Sequence, residues 1–158
     1  MWNVHGFILL ERANDYGCQV PCGLNAQQGT WYEIDERDNM TIFKEQIVRF
    51  RQWMNVNGER NKPLIVSEYG ILAGISSGYD QARVKRFMIA TFDYFSKARS
   101  STLGYPADGN RLVQAWCWYS LDHKNFEGYE SYGHLFDPDT KRITALGRAY
   151  GDYTASIP

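Results

Sequence analysis

Cysteine is scarce in this chain: Cys18, Cys22 and Cys117 are the three it has. An odd count is not a disulfide framework, and the C-x-x-x-C spacing without a neighbouring histidine reads as free thiols rather than a metal site. Neither sign of charge is in excess. Seventeen basic and eighteen acidic residues leave a net charge of −1. Such a balance gives no electrostatic footprint for nucleic acid or an anionic membrane, and neither is expected as a partner. No apolar run reaches the ~18 residues of a membrane helix. No basic segment follows Met1, so the start is not that of a secretory signal. Neither G-x-G-x-x-G nor G-x-x-x-x-G-K-[ST] follows a strand pattern, which removes the usual markers of nucleotide binding. No cofactor and no metal is expected. Internal repeats and low-complexity tracts are absent from the sequence as well.

Aromatic residues are what the chain has in quantity: 15% of the total, with five tryptophans and eleven tyrosines. They fill cores, and they also stack on sugars and bases. The length of 158 residues suits one domain, residues 1–158, with enough chain to bury a core.

The hydrophobic period divides the chain. Residues 2–10, WNVHGFILL, read as a strand, and a polar stretch over 11–39 with three glycines and Pro21 reads as a long loop. Loops of that length often form lids or binding elements. Its lack of a clear period predicts that it is the least ordered part of the chain. Over 41–57 the apolar residues Ile42, Phe43, Ile47, Phe50, Trp53 and Met54 mark one helical face. Asn39 or Thr41 is placed to cap that helix, and Gly58 to stop it. A strand follows over 64–67, a helix over 80–98, a strand over 112–119, a loop over 122–133 and a last helix over 144–153. Strands alternating with helices predict an α/β fold with parallel strands in about three βα units, either an open sheet or part of a (βα)8 barrel.

In parallel α/β folds chemistry gathers at the C-terminal ends of the strands. The second strand runs KPLIVSEYGIL, and a charged residue, Glu68, interrupts its apolar run. Strict alternation puts Leu64, Val66 and Glu68 on one face, with Asn3, His5 and Phe7 on one face of the first strand and Gln114, Trp116 and Trp118 on one face of the third. Glu68, His5 and Trp118 are then expected at one rim, with Val4, Leu64, Val66 and Trp116 filling the interior beneath. Tyr69 and Asp122 end their strands beside these residues. A carboxylate at such a rim can attack an anomeric carbon while an indole packs on the sugar. It can equally be a structural carboxylate held by backbone amides. His5 suits a hydrogen bond to a hydroxyl or to the carboxylate, and suits a partly buried structural role as well.

The segments NVHGF, LIVSEYG and AWCWYSLD, in that order, resemble strands six, seven and eight of the clan A retaining glycoside hydrolases, the family 5-like TIM barrels. The ending GHLFDPDTKRITALGRAYGDY resembles the last barrel segment, and the likeness covers nearly all of the chain. The resemblance implies a partial (βα)8 barrel in which Glu68 is the catalytic nucleophile. His5-Gly6-Phe7 stands where the family has H-x-Y, with phenylalanine for tyrosine. Trp118, with Trp116 as the second choice, matches the tryptophan under the sugar. His5, Tyr69, Trp116, Trp118 and Asp122 form the substrate-binding set, and a carbohydrate is the implied ligand. Enzymes of this kind carry their acid/base glutamate in an Asn-Glu pair after strand four. This chain has no Asn-Glu pair, and Glu11, Glu33 and Glu36 are unmarked as substitutes. Hydrolysis by this chain alone is therefore not expected, and a non-catalytic carbohydrate-binding or assembly module is the alternative. Three strands cut from a barrel have two exposed edges, which predicts a homo-oligomer.

Overall fold

A computed structural model of the chain describes residues 1–12, 27, 29–123 and 130–157. Cys18 and Cys22 lie outside the described residues, as does much of the 11–39 stretch. The elements run β1 (Trp2–His5), α1 (Met40–Val56), β2 (Leu64–Tyr69), α2 (Gln81–Lys97), β3 (Ala115–Trp118) and α3 (Ala145–Ser156), with short 3-10 turns between them. The strands form one parallel sheet in the order β1-β2-β3. Among the described residues the fold is α/β with three parallel strands and three helices, as the alternation predicts. The first and third strands are shorter than their apolar runs.

Each helix starts where its sequence supplies a cap. Asn39 Oδ1 accepts the amides of Thr41 and Ile42 at 2.9 and 3.4 Å. Asp80 accepts that of Arg83 at 2.7 Å, and the Thr144 hydroxyl accepts that of Gly147 at 3.0 Å. These side chains satisfy amides that the first helical turn leaves without partners. α1 ends at Asn57 and Gly58, whose φ of 75° suits a residue without a Cβ. α1 buries Phe43, Ile47 and Met54. α2 buries Val84, Phe87, Met88, Phe92 and Phe95.

The core lies between the sheet and these helices. Leu64, Val66 and Tyr69 are fully buried there. Tyr69 sits among Phe43, Phe95 and Trp118, with centroids 5.2–5.6 Å apart. Trp116 packs on Phe92 and Phe95 of α2, at 5.9 and 5.2 Å. Trp2 packs edge-on against Phe50 and Trp53 of α1. Such aromatic pairs contribute about 0.5–1.5 kcal/mol each beyond the area they bury.

The other sheet face carries Asn3, His5, Ser67, Ala115 and Cys117, all exposed or half-exposed. Asn3 Nδ2 donates to Ser67 Oγ across it at 3.2 Å. The expected interior is therefore reversed. Val4, Leu64, Val66 and Trp116 point to the helices, and mostly small or polar residues, with Ile65 among them, point away. The apolar run alone cannot tell which of its faces the helices cover.

At the N-terminal end of the sheet, Arg51 is a fully buried charged residue. Its guanidinium donates to the carbonyls of Leu112 and Lys62, at 2.5 and 3.1 Å, and to Oε1 of Gln114, at 2.6 Å. Gln114 Oε1 also accepts the Leu64 amide at 2.8 Å. One cation thus ties α1 to the starts of β2 and β3. Burial pushes its pKa down to about 10, partly offset by the charge of Asp108. It stays protonated at neutral pH, and its hydrogen bonds compensate the loss of water.

Candidate functional site

Glu68 sits at the C-terminal end of the middle strand. By alternation it belongs with Leu64 and Val66 against the helices, yet it does not point there. The pairing register shifts between Val4 and His5 and again between Val66 and Tyr69. An irregularity of this kind adds a residue to one strand and re-aims the next side chain. Val66 and Tyr69 stay on the helix side as a result, and Glu68 turns to the open face beside its register partner His5. His5 Nδ1 lies 3.8 Å from Glu68 Oε2, and the two side chains are 57% and 45% exposed. Both are thus within reach of a ligand.

The two open a cleft of about 860 Å³. Tyr119 and His123 line it together with Glu68, as do Phe7, Leu9 and Tyr32. The Tyr119 ring stands edge-on to Phe7 at 5.8 Å and tilted to His123 at 6.4 Å. Close approach of the strand ends sets this wall. The Tyr119 amide donates to the Tyr69 carbonyl at 2.8 Å. A Cβ on Gly70 would collide with the Tyr119 carbonyl oxygen, so only glycine lets the two segments come so near. The Tyr119–Ser120 peptide bond is cis.

Arg37 also lines the cleft, and a set of polar contacts holds its segment. Arg83 forms a bidentate pair with Asp38, at 2.7 and 2.6 Å, and lies over the Tyr79 ring at 4.0 Å. The Asp38 carboxylate raises the Arg83 pKa. The Tyr79 hydroxyl donates to the Ile34 carbonyl at 2.7 Å and accepts the Arg37 amide at 3.0 Å. These contacts place Arg37 at the cleft, where its guanidinium donates to the Leu72 carbonyl. Glu11 is the other carboxylate lining the cleft among the described residues. Its Oε2 accepts the Thr30 amide at 3.0 Å, and it packs so closely over Gly29 that a Cβ there would strike it.

Of the residues expected at the site, Glu68 and His5 come together in the cleft, while the rest lie elsewhere. Tyr69 is fully buried, and burial raises its pKa well above the ordinary tyrosine value against the smaller effect of the Thr91 hydrogen bond. Trp118 is 7% exposed, stacks on the core and donates its indole N–H to the Gly133 carbonyl at 2.7 Å. Trp116 lies against α2. Asp122 lines a separate groove of about 340 Å³ with Leu121 and Phe136. The aromatic residue facing the cleft from the third strand end is Tyr119. In AWCWYSLD the bulky tryptophans take the helix side, so the alternate residues Cys117 and Tyr119 take the other. Knowledge of which side is the helix side would have found Tyr119.

Trp118 therefore has a structural role. Trp118→Phe keeps an aromatic ring but removes the shorter of the two hydrogen bonds to the Gly133 carbonyl, which keeps the Ser120 amide at 3.4 Å. It is expected to cost about 1–2 kcal/mol in a urea titration. A cost near zero would show that the indole N–H bond contributes nothing.

No family model, no curated protein and no solved structure matches the chain.

Proposed function

We propose that the chain is the C-terminal (βα)3 portion of a retaining glycoside-hydrolase barrel, with Glu68 as the nucleophile. The single observation that carries this reading is the strand irregularity that turns Glu68 out of an apolar strand. It places a carboxylate beside His5 at the C-terminal strand ends, in a cleft that Tyr119 and His123 also line. Parallel α/β folds gather their chemistry at this end of the strands. In a complete barrel Glu68 attacks C1 of the sugar, and the C1–O bond to the leaving group breaks. A glycosyl ester forms, and water then hydrolyses it. His5 orients the carboxylate or a sugar hydroxyl. Tyr119, rather than Trp118, is the aromatic surface for the sugar ring.

The test is mechanism-based labelling with 2-deoxy-2-fluoroglycosyl fluorides of the gluco, manno and xylo series. Fluoride leaves without protonation, so a missing acid does not block the first step. The expected result is a covalent adduct on the peptide holding Glu68, seen by mass spectrometry. It should be absent in Glu68→Gln and weakened in Tyr119→Ala. No adduct from any of the three sugars sinks the nucleophile assignment.

A second reading is a carbohydrate-binding module without turnover. The chemistry of the second carboxylate supports it: Glu11 is occupied by a backbone amide and stands outside any Asn-Glu pair. Binding of unmodified oligosaccharides that survives Glu68→Gln, without adduct formation, would favour that reading.

A further inference from the structure

The cleft holds a cation that the chemistry of Glu68 does not use. Arg37 lines it and is half-buried there. Its backbone is fixed, because its amide donates to the hydroxyl of the fully buried Tyr79. Arg83 stacks on the same ring and binds the adjacent Asp38. We propose that Arg37 receives a carboxylate of the ligand, so that the cleft takes a sugar of the uronic acid class. This assignment rests on the carbohydrate reading of the cleft and adds a substrate class to it.

The guanidinium is only partly occupied. Its Nη1 donates to the Leu72 carbonyl, and Arg37 makes no ion pair among the described residues. Nε and Nη2 have no acceptor there, yet neither is sealed from solvent. Together they form the edge of the planar fork that matches both oxygens of a carboxylate. The other charged residues along the cleft have neighbours of their own. Glu68 stands beside His5, Glu11 accepts the Thr30 amide, and Arg49 is paired with Glu45. A half-buried cation has lost part of its water, and one neutral carbonyl does not balance its charge. A ligand carboxylate does so through two parallel N–H···O bonds. Glu11 and Glu68 repel an anionic sugar elsewhere in the cleft, which restricts its charge to the place where Arg37 meets it.

Cellobiose and cellobiouronic acid differ only in a C6 carboxylate. Titration of each against the isotope-labelled chain, followed by NMR, tests the assignment. The acid is expected to bind roughly 10-fold more tightly than the neutral sugar, the scale of one charge-assisted pair. Arg37→Met should abolish that difference and leave cellobiose binding unchanged. A merely structural tie to Leu72 would not produce this split. Arg37→Lys keeps the charge without the fork and should retain part of the difference, and Arg49→Met should retain all of it. On the unaltered chain, added salt should weaken binding of the acid and not of cellobiose. Equal binding of the two sugars, binding of neither, or a preference that survives Arg37→Met overturns the proposal. A cellobiose sulfated at C6 that binds as tightly as the uronate also overturns it, because the site then reads charge rather than a carboxylate. Fluorosugar adducts at Glu68 without any acid preference would leave the nucleophile assignment standing and remove this one. Acid binding at Arg37 without adducts would do the reverse.

Discussion

Arg51→Ala is expected to lower the unfolding free energy by about 4 kcal/mol, measured by urea denaturation. The guanidinium serves three acceptors, the carbonyls of Leu112 and Lys62 and the side-chain oxygen of Gln114. Gln114 Oε1 keeps the Leu64 amide, so the carbonyls of Leu112 and Lys62 are the acceptors left without this donor, at about 1–3 kcal/mol each where water cannot reach them. Removing a fully buried side chain of this size also leaves a cavity. Opposing both is the relief of a buried cation, whose desolvation is visible in its lowered pKa. The net loss is therefore well below the sum of the parts. It remains large against a typical stability of about 5–15 kcal/mol. Arg51→Met keeps much of the volume and is expected to lose about half as much. The site lies at the N-terminal strand ends, away from Glu68, so a folded variant should keep its fluorosugar labelling. A change below about 1 kcal/mol for Arg51→Ala would show that the two carbonyls find water or other donors.

The second large effect concerns turnover. The chain alone is expected to give no detectable hydrolysis of phenyl or nitrophenyl glycosides, even where the activated fluorides label Glu68. General acid catalysis contributes about 10²–10⁴-fold, and an aryl leaving group depends on it far more than fluoride does. Glu68 has His5 as its close neighbour, and an imidazole there orients a carboxylate without replacing a second one. Glu11 reaches the cleft with an oxygen already accepting the Thr30 amide. Robust turnover that disappears in both Glu68→Gln and Glu11→Gln would reverse this conclusion and make Glu11 the acid/base. Turnover lost in neither variant would remove the cleft from the chemistry.

The helices were legible from the sequence because each carries its signals locally. Asn39, Asp80 and Thr144 cap them, and stripes such as Phe43–Ile47–Met54 repeat at the helical period. The parallel order of the strands followed from the same alternation. Glu68 was legible as the odd charge in an apolar strand, and His5 as its partner across the sheet. In contrast, period-2 alternation fixes which residues share a face but not which face the helices cover. LIVSEY and AWCWYS each present bulky apolar residues on one side, and the same pattern suits a barrel interior or a helix-packed exterior. Packing decided it. The large rings of Tyr69, Trp116 and Trp118 fill the space against α1 and α2, where Phe43, Phe87, Phe92 and Phe95 meet them. Alternation also fails at an irregularity. The shifts at Val4/His5 and Val66/Tyr69 depend on how two strands pair, a relation between segments about fifty to sixty residues apart. The sequence by itself therefore determined the elements, their order and the presence of a carboxylate at a strand end. The tertiary structure alone decided that Glu68 faces the cleft, that Tyr119 rather than Trp118 lines it, and that Arg51 closes the other end of the sheet. Those outcomes depend on side chains distant in sequence competing for one volume, and no local pattern encodes that competition.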